Sequence, residues 1–132
     1  MSSPEKFVSS KKRQKIVIVI RRDLNLSPGK LIAQGVHAAF RVGKLPDYPN
    51  KFSSKAEEAF GPEPICIVCY VKREKDLISL GEQAALAGVP CGLQTDAGFT
   101  EVEEGTITAL AIGPDDEEKV NMITKGLQLF KG

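Results

Sequence analysis

The chain reads KIVIVIRRDLNLSPGKLIAQGVHAAFRV over residues 15–42, and this stretch decides the fold. Residues 15–20 form a β-branched run, which predicts a strand buried on both faces. Ser27 is suited to cap a helix and Pro28 to its first position, and we expect this helix to run to Val42 with Gly43 as its stop. A buried strand followed closely by a helix is typical of an α/β domain.

The rest of the chain continues this alternation. Further elements are predicted as a short helix at residues 51–60, a strand at 65–71, a helix at 74–88, and strands at 89–94 and 106–114. Pro90 and Gly92 favour an edge position for the third strand, and Pro114 is expected to start a last helix. From the residues alone, the pattern predicts helices on both faces of a small, largely parallel sheet.

The bulk properties exclude several classes of protein. With 132 residues the chain fits one domain, which we expect over residues 15–132 after a flexible polar tail at residues 1–14. It has no run of about 18 apolar residues and no apolar middle region of a secretory signal, so we expect a cytoplasmic protein without a membrane partner. Cys66 and Cys69 have a C-x-x-C spacing, which could indicate redox or zinc chemistry. On a strand, however, positions three apart point to opposite faces, which favours buried, inert thiols.

The net charge of +1 is unevenly distributed. Residues 1–55 contain twelve Lys or Arg and three acids, whereas residues 56–132 contain six and fourteen. A basic segment of this size can attract phosphate backbones. The two halves of a sequence need not form separate faces of the fold, however. Charge alone therefore does not decide whether the chain binds a polyanion.

The first predicted helix carries a polar stripe. At 100° per residue, Lys30, Gln34, His37 and Arg41 fall on one narrow side. A solvated face is the simpler interpretation, but the stripe holds no acid, and the helix dipole disfavours a first-turn cation by roughly 0.3–1 kcal/mol. A cation beside free backbone N–H groups instead suits an anion or a developing oxyanion. The opposite side carries the apolar residues that we expect to face the sheet: Ile32, Val36, Ala39 and Phe40.

A second candidate for chemistry is TDAGFT, residues 95–100. Asp96 ends a predicted strand, and ligands of open α/β sheets gather outside the carboxyl ends of strands, where Lys30 can also lie. An Asp facing a Lys and a Thr can hold a water and take its proton. Asp-Ala-Gly is also ordinary turn chemistry, and a lone helical His is commonly a packing residue, so both interpretations stay open.

Four segments, in order, resemble the peptidyl-tRNA hydrolases of archaea and eukaryotes. They are RRDL after the first strand, PGKLIAQGVHAA at the helix start, TDAGFT, and GTITALAIGP in the last strand. The resemblance extends over residues 15–130. It implies a three-layer α/β/α sandwich on a four-stranded mixed sheet, a homodimer in many members, and hydrolysis of the ester bond in peptidyl-tRNA without metal or cofactor.

The resemblance also implies site residues. The family's essential positions match Lys30, Gln34, Asp96, Thr100 and Thr108, and His37 fits a position that is often His. We expect Asp96, helped by Thr100, to activate water and Lys30 to stabilise the oxyanion, with Lys30 or His37 protonating the leaving oxygen. The expected substrate-binding residues are Gln34, Arg41, Thr108 and Phe99.

Three positions depart from the family pattern. Phe99 replaces the usual Arg, Glu101 the usual Gln, and Ala111 the usual Gly. Losing a cation and gaining an acid weakens contact with tRNA. These departures fit either an active enzyme with a changed substrate preference or a non-catalytic RNA- or protein-binding paralogue, in which Phe99 serves base stacking or protein contact.

Overall fold

The structure is a computed structural model that describes residues 13–43, 65–96 and 105–131. The helix predicted at residues 51–60 lies outside these ranges. The elements within them are β1 (Gln14–Arg21), α1 (Pro28–Gly43), β2 (Ile65–Val71), α2 (Glu74–Ala87), β3 (Cys91–Thr95), β4 (Ile107–Asp116), α3 (Glu117–Thr124) and β5 (Gln128–Leu129).

The strands form one mixed sheet in the order β3-β4-β1-β2-β5. β1 and β2 are parallel, whereas β1–β4, β3–β4 and β2–β5 are antiparallel. The largely parallel sheet predicted from the alternation is therefore wrong, and the mixed sheet implied by the resemblance is right. The edge position of β3 is confirmed. The expected number of four strands is one too few, because β5 has only two residues and so carries no hydrophobic period.

Pro114 lies inside β4 and does not start the last helix. β4 continues to Asp116 because Gln14 and Lys15 of β1 pair with Asp116 and Asp115. The helix α3 begins only at Glu117, and its acidic first turn suits the helix dipole as predicted.

Helices cover both faces of the sheet, so the fold is a three-layer α/β/α sandwich. Alternate residues of β1 feed two separate cores, which confirms the prediction of a strand buried on both sides. Ile16, Ile18 and Ile20 pack with Ala38 and Val42 of α1. The opposite core, under α2 and α3, includes Val17, Val19, Leu77, Leu80, Ala84, Leu110, Ile112, Val120 and Ile123.

The face of α1 that contacts the sheet differs from the predicted one. Ala38 and Val42 are fully buried. Ile32, Val36 and Phe40, which were expected to face the sheet, are instead 69%, 47% and 64% exposed. The prediction is wrong because it assigned the sheet-facing side by hydrophobicity and took no account of side-chain size.

Two glycines let α1 lie close to the sheet. A Cβ atom on Gly35 would lie 3.1 Å from Cγ2 of Ile18, and one on Gly92 of β3 would lie 2.3 Å from the carbonyl oxygen of Ala38. Real Cβ atoms do not approach backbone oxygens so closely, so only glycine fits at position 92. Small residues therefore make the contact, and the polar stripe of α1 lies along the border of the sheet.

Cys66 and Cys69 of β2 lie on opposite faces of the sheet, as predicted. Cys69 is buried, and burial raises the pKa of its thiol. Cys66 is exposed, so the expectation that both thiols are buried is wrong. Both are free thiols in the structure.

Candidate active site

The start of α1 fixes the position of Lys30. The Ser27 hydroxyl accepts a hydrogen bond from the Lys30 backbone N–H at 3.4 Å, and the Ser27 carbonyl accepts one from Leu31 at 2.9 Å. This is the geometry of an N-cap, as predicted from the sequence. It holds Lys30 in the first turn, the part of an α-helix whose backbone N–H groups have no partner within the helix.

Asp96 is fixed at the end of β3 by its backbone. Its N–H donates to the carbonyl of Thr106 at 2.8 Å, and its own carbonyl accepts from the N–H of Gly105 at 2.7 Å. These two bonds join the chain on either side of residues 97–104. The Asp96 side chain is thereby anchored at the edge of the sheet where β1 also ends.

Lys30 and Asp96 form a buried ion pair. The Nζ atom of Lys30 lies 2.7 Å from Oδ2 of Asp96, and the two side chains are 16% and 2% exposed. The amide nitrogen of Gln34 donates a long hydrogen bond of 3.4 Å to the same oxygen. A carboxylate that is buried this deeply requires such partners, because burial of an unpaired charge is strongly unfavourable.

Thr108 of β4 orients the Gln34 amide. Its buried hydroxyl donates either to Oε1 of Gln34 or to the main-chain oxygen of Gln94, which lies 3.4 Å away. When the hydroxyl binds Oε1, the amide nitrogen of Gln34 is turned towards Asp96. A chain of contacts thus runs from the middle of the sheet to the ion pair.

Gln94 is a member of this group that the sequence did not reveal. Its side chain is buried, its Oε1 accepts from Nε of Arg41 at 3.2 Å, and its Nε2 donates to the carbonyl of Thr95 at 2.7 Å. The sequence could have indicated it, because Gln94 is two positions after Gly92 and therefore faces the same side of β3, under α1. Through Gln94, the exposed Arg41 is tied to the border between α1 and β3.

The structure brings some of the candidate residues together and leaves others apart. Lys30, Gln34, Asp96 and Thr108 form one contiguous group. His37 is exposed on α1, and none of its described contacts joins it to that group. Phe99 and Thr100 lie outside the described residues.

The turn after β1 supports the same edge of the sheet. The Arg21 guanidinium binds both carboxylate oxygens of Asp23, at 3.0 and 2.8 Å, and its Nη1 donates to the carbonyl of Ile107 at 2.9 Å. The guanidinium holds the pKa of Asp23 below its ordinary value, and the same hydrogen bond raises the pKa of Arg21. Since Ile107 precedes Thr108, Arg21 ties the start of β4 to the end of β1.

This arrangement suits the hydrolysis of an ester. A fixed carboxylate can orient a water and accept its proton. An ammonium group beside the N–H groups of a helix start can stabilise an oxyanion. Within residues 13–43, 65–96 and 105–131, no three His, Cys, Asp or Glu side chains are grouped to hold a metal ion.

The resemblance to a known family extends over nearly the whole chain. The family model described as peptidyl-tRNA hydrolase PTH2 matches residues 14–130. The chain belongs to the PTH2 family. Peptidyl-tRNA hydrolases of Methanocaldococcus jannaschii and Methanopyrus kandleri are 40% and 41% identical to it, over 88% and 89% of this chain and 99% and 98% of theirs.

A solved structure supports the fold alone. A protein of unknown function from Agrobacterium tumefaciens superposes with a TM-score of 0.55 at 13% identity, over 92% of this chain and 100% of that one. Among the three departures from the PTH2 pattern, Ala111 is fully buried in β4 in the core under α1. Phe99 and Glu101 lie outside the described residues.

Proposed function

We propose that this chain hydrolyses the ester bond between peptide and tRNA in peptidyl-tRNA and releases free tRNA. The observation that carries the proposal is the buried Lys30–Asp96 pair of 2.7 Å in a chain of the PTH2 family. Relatives that share about 40% of their residues with it over nearly their whole length are named peptidyl-tRNA hydrolases.

Asp96 is the proposed general base. It orients a water and takes its proton as the oxygen attacks the ester carbonyl. Thr100 is proposed to hold the same water. Lys30 and the first-turn N–H groups of α1 stabilise the tetrahedral oxyanion, a role worth roughly 3–4 kcal/mol for a well-placed donor. Gln34 and Thr108 were expected from the resemblance to bind the substrate. Since they are only 3% and 1% exposed, we propose that they act through Asp96, by keeping its carboxylate in position.

The leaving ribose oxygen needs a proton from Lys30 or His37. Lys30 is favoured because it already contacts the base, whereas His37 is exposed on the outer side of α1. His37 then faces the RNA together with Arg41, whose guanidinium is anchored by Gln94. Phe99, three residues after Asp96 in the sequence, is proposed to contact the substrate.

We propose that the reaction needs neither metal nor cofactor. The carboxylate of Asp96 activates water, and the ammonium of Lys30 supplies the positive charge that a metal ion provides in other hydrolases. Turnover should therefore be unchanged after dialysis against a chelator. A loss that added zinc or magnesium restores would contradict this part of the proposal.

The cellular setting is also a proposal. No described helix is long and apolar enough to cross a bilayer, and a tRNA substrate favours the cytoplasm. A homodimer is supported by the exposed apolar side chains of Ile32, Val36 and Phe40 on α1, which a second copy would cover. Sedimentation equilibrium of the purified chain, with Phe40→Ser for comparison, tests this state.

The decisive experiment is turnover of N-acylated aminoacyl-tRNA by the purified protein. The unmodified chain should release free tRNA, and Asp96→Asn should reduce kcat by on the order of 100-fold or more with little change in tRNA affinity. Asp76→Asn, a surface acid on α2, serves as the matched control and should leave turnover unchanged. If the unmodified chain shows binding but no turnover, the binding-paralogue alternative replaces the enzyme.

A further inference from the structure

A second site lies on the same sheet, away from the Lys30–Asp96 pair. An open depression of about 400 Å³ is lined by Arg22, Tyr70, Gln128, Leu129 and Lys131. Arg22 directly follows β1, Tyr70 lies in β2, Gln128 and Leu129 form β5, and Lys131 follows Phe130. None of them contributes to the ion pair or to the Gln34–Thr108 contacts.

An arginine held over two aromatic rings forms the wall of this depression. Cζ of Arg22 lies 4.8 Å from the centroid of the Tyr70 ring and 5.5 Å from that of Phe130. The two rings meet edge to face, with their centroids 6.4 Å apart. Such cation–π contacts fix the guanidinium plane before any ligand arrives.

The pairing of β5 with β2 holds the aromatic group in place. The Phe130 N–H donates to the carbonyl of Val68 at 2.9 Å, and the Tyr70 hydroxyl donates to Oε1 of Gln128. Both rings therefore extend from paired backbone. A rigid wall of this kind loses little entropy when a flat ligand binds to it.

The depression and the ion pair open at the same edge of the sheet. β1 and β3 are both antiparallel to β4 and so run in the same direction, which places Arg22 and Asp96 at strand ends on one edge. From β3 to β2 there are three strand spacings, or about 14 Å. At about 3.4 Å of rise per stacked nucleotide, this distance corresponds to roughly four nucleotides.

We propose that this depression binds an unpaired nucleotide of the substrate RNA, a few positions before the esterified end. The base stacks against the Arg22–Tyr70–Phe130 group, and Lys131 contacts the adjoining phosphate. Aromatic rings and arginine planes are the common platforms for unpaired bases. The exposed Lys72, directly after β2, adds positive charge along the same edge. The proposal rests on the proposed function, since it takes the ester to lie at Asp96.

Two substrates separate this subsite from the catalytic group. One is N-acetylated aminoacyl-tRNA, and the other is the same N-acetylated amino acid esterified to adenosine alone, which is too short to reach the depression. Arg22→Ala and Tyr70→Leu should each raise KM for the tRNA substrate on the order of tenfold, with kcat unchanged. Neither variant should alter kcat/KM for the adenosine ester.

Two further variants control for charge and for folding. Lys125→Ala removes one exposed cation that does not line the depression, and it should leave KM for tRNA within about twofold. Tyr70→Phe keeps the ring and should have the same KM as the unmodified chain. If Tyr70 matters only through its hydrogen bond with Gln128, Tyr70→Phe should instead raise KM as much as Tyr70→Leu does. Circular dichroism of all four variants verifies the fold.

Each outcome decides between the possibilities. Equal effects of Arg22→Ala on both substrates, or no effect on either, would overturn the subsite while leaving the proposed function intact. If the unmodified chain hydrolyses neither substrate, the proposed function fails. The affinity for tRNA, measured by filter binding, then shows whether the depression binds RNA. Weaker binding by Arg22→Ala than by Lys125→Ala would support it, and equal binding would reject it.

Discussion

Replacing Lys30 with alanine should destabilise the protein, although a first-turn cation is itself unfavourable to the helix. The substitution leaves the Asp96 side chain, which is 2% exposed, without its ammonium partner. Removing one member of a buried ion pair costs about 3–5 kcal/mol. Because the Lys30 side chain keeps 16% exposure and water can enter the space it vacates, we expect a loss near the lower end, about 3 kcal/mol in the free energy of unfolding.

A double-mutant cycle in urea at neutral pH tests this reasoning. Asp96→Asn is neutral, so the Lys30→Ala/Asp96→Asn protein should be more stable than Lys30→Ala alone. Arg73→Ala is the control, since its pair with Asp76 is 63% and 33% exposed and should contribute less than about 1 kcal/mol. The argument fails if Lys30→Ala loses no more stability than Arg73→Ala, or if the second substitution restores nothing.

Three other substitutions test the surroundings of the site. Thr108→Val leaves the buried Gln34 oxygen without its donor, so it should lower the free energy of unfolding by about 1–3 kcal/mol and also lower kcat. An unchanged free energy of unfolding in urea, together with an unchanged kcat, would contradict the contact. Gly92→Ala places a Cβ atom 2.3 Å from the Ala38 carbonyl, so it should displace α1 and lower both thermal stability and turnover; a normal melting temperature would refute the close packing. Arg41→Ala should reduce the slope of log Kd for tRNA against log salt concentration by about one. An unchanged slope would show that Arg41 does not contact the RNA.

The sequence predicted those parts of the fold that depend on local chemistry. The β-branched run gave β1, Ser27 and Pro28 gave the start of α1, and Gly88 ends α2 in the left-handed conformation, at φ 71°. The predictions were wrong where the structure depends on pairing with residues that are distant in the sequence. β4 extends through Pro114 because β1 is there to pair with it, and β5 exists only because it pairs with β2.

The candidate site shows the same division. Lys30 and Asp96 were expected at one sheet edge from strand ends alone, and the structure has them in contact. Thr108 came only from the family resemblance, because a threonine inside a strand gives no chemical signal of its own. Gln94 was missed because its contacts depend on how closely α1 approaches β3, which hydrophobicity did not reveal. Thr100 and Phe99 stay predictions.

The members of the proposed catalytic group are far apart along the chain, and this bears on how activity appears during folding. Gln34 contacts Asp96 across 62 positions and Thr108 across 74. Contacts of such long range form only after large loops have closed. A folding intermediate that contains only β1, α1 and β2 therefore holds Lys30 and Gln34 but neither Asp96 nor Thr108. Regain of turnover after dilution from denaturant should report the docking of β3 and β4, later than signals from helix formation.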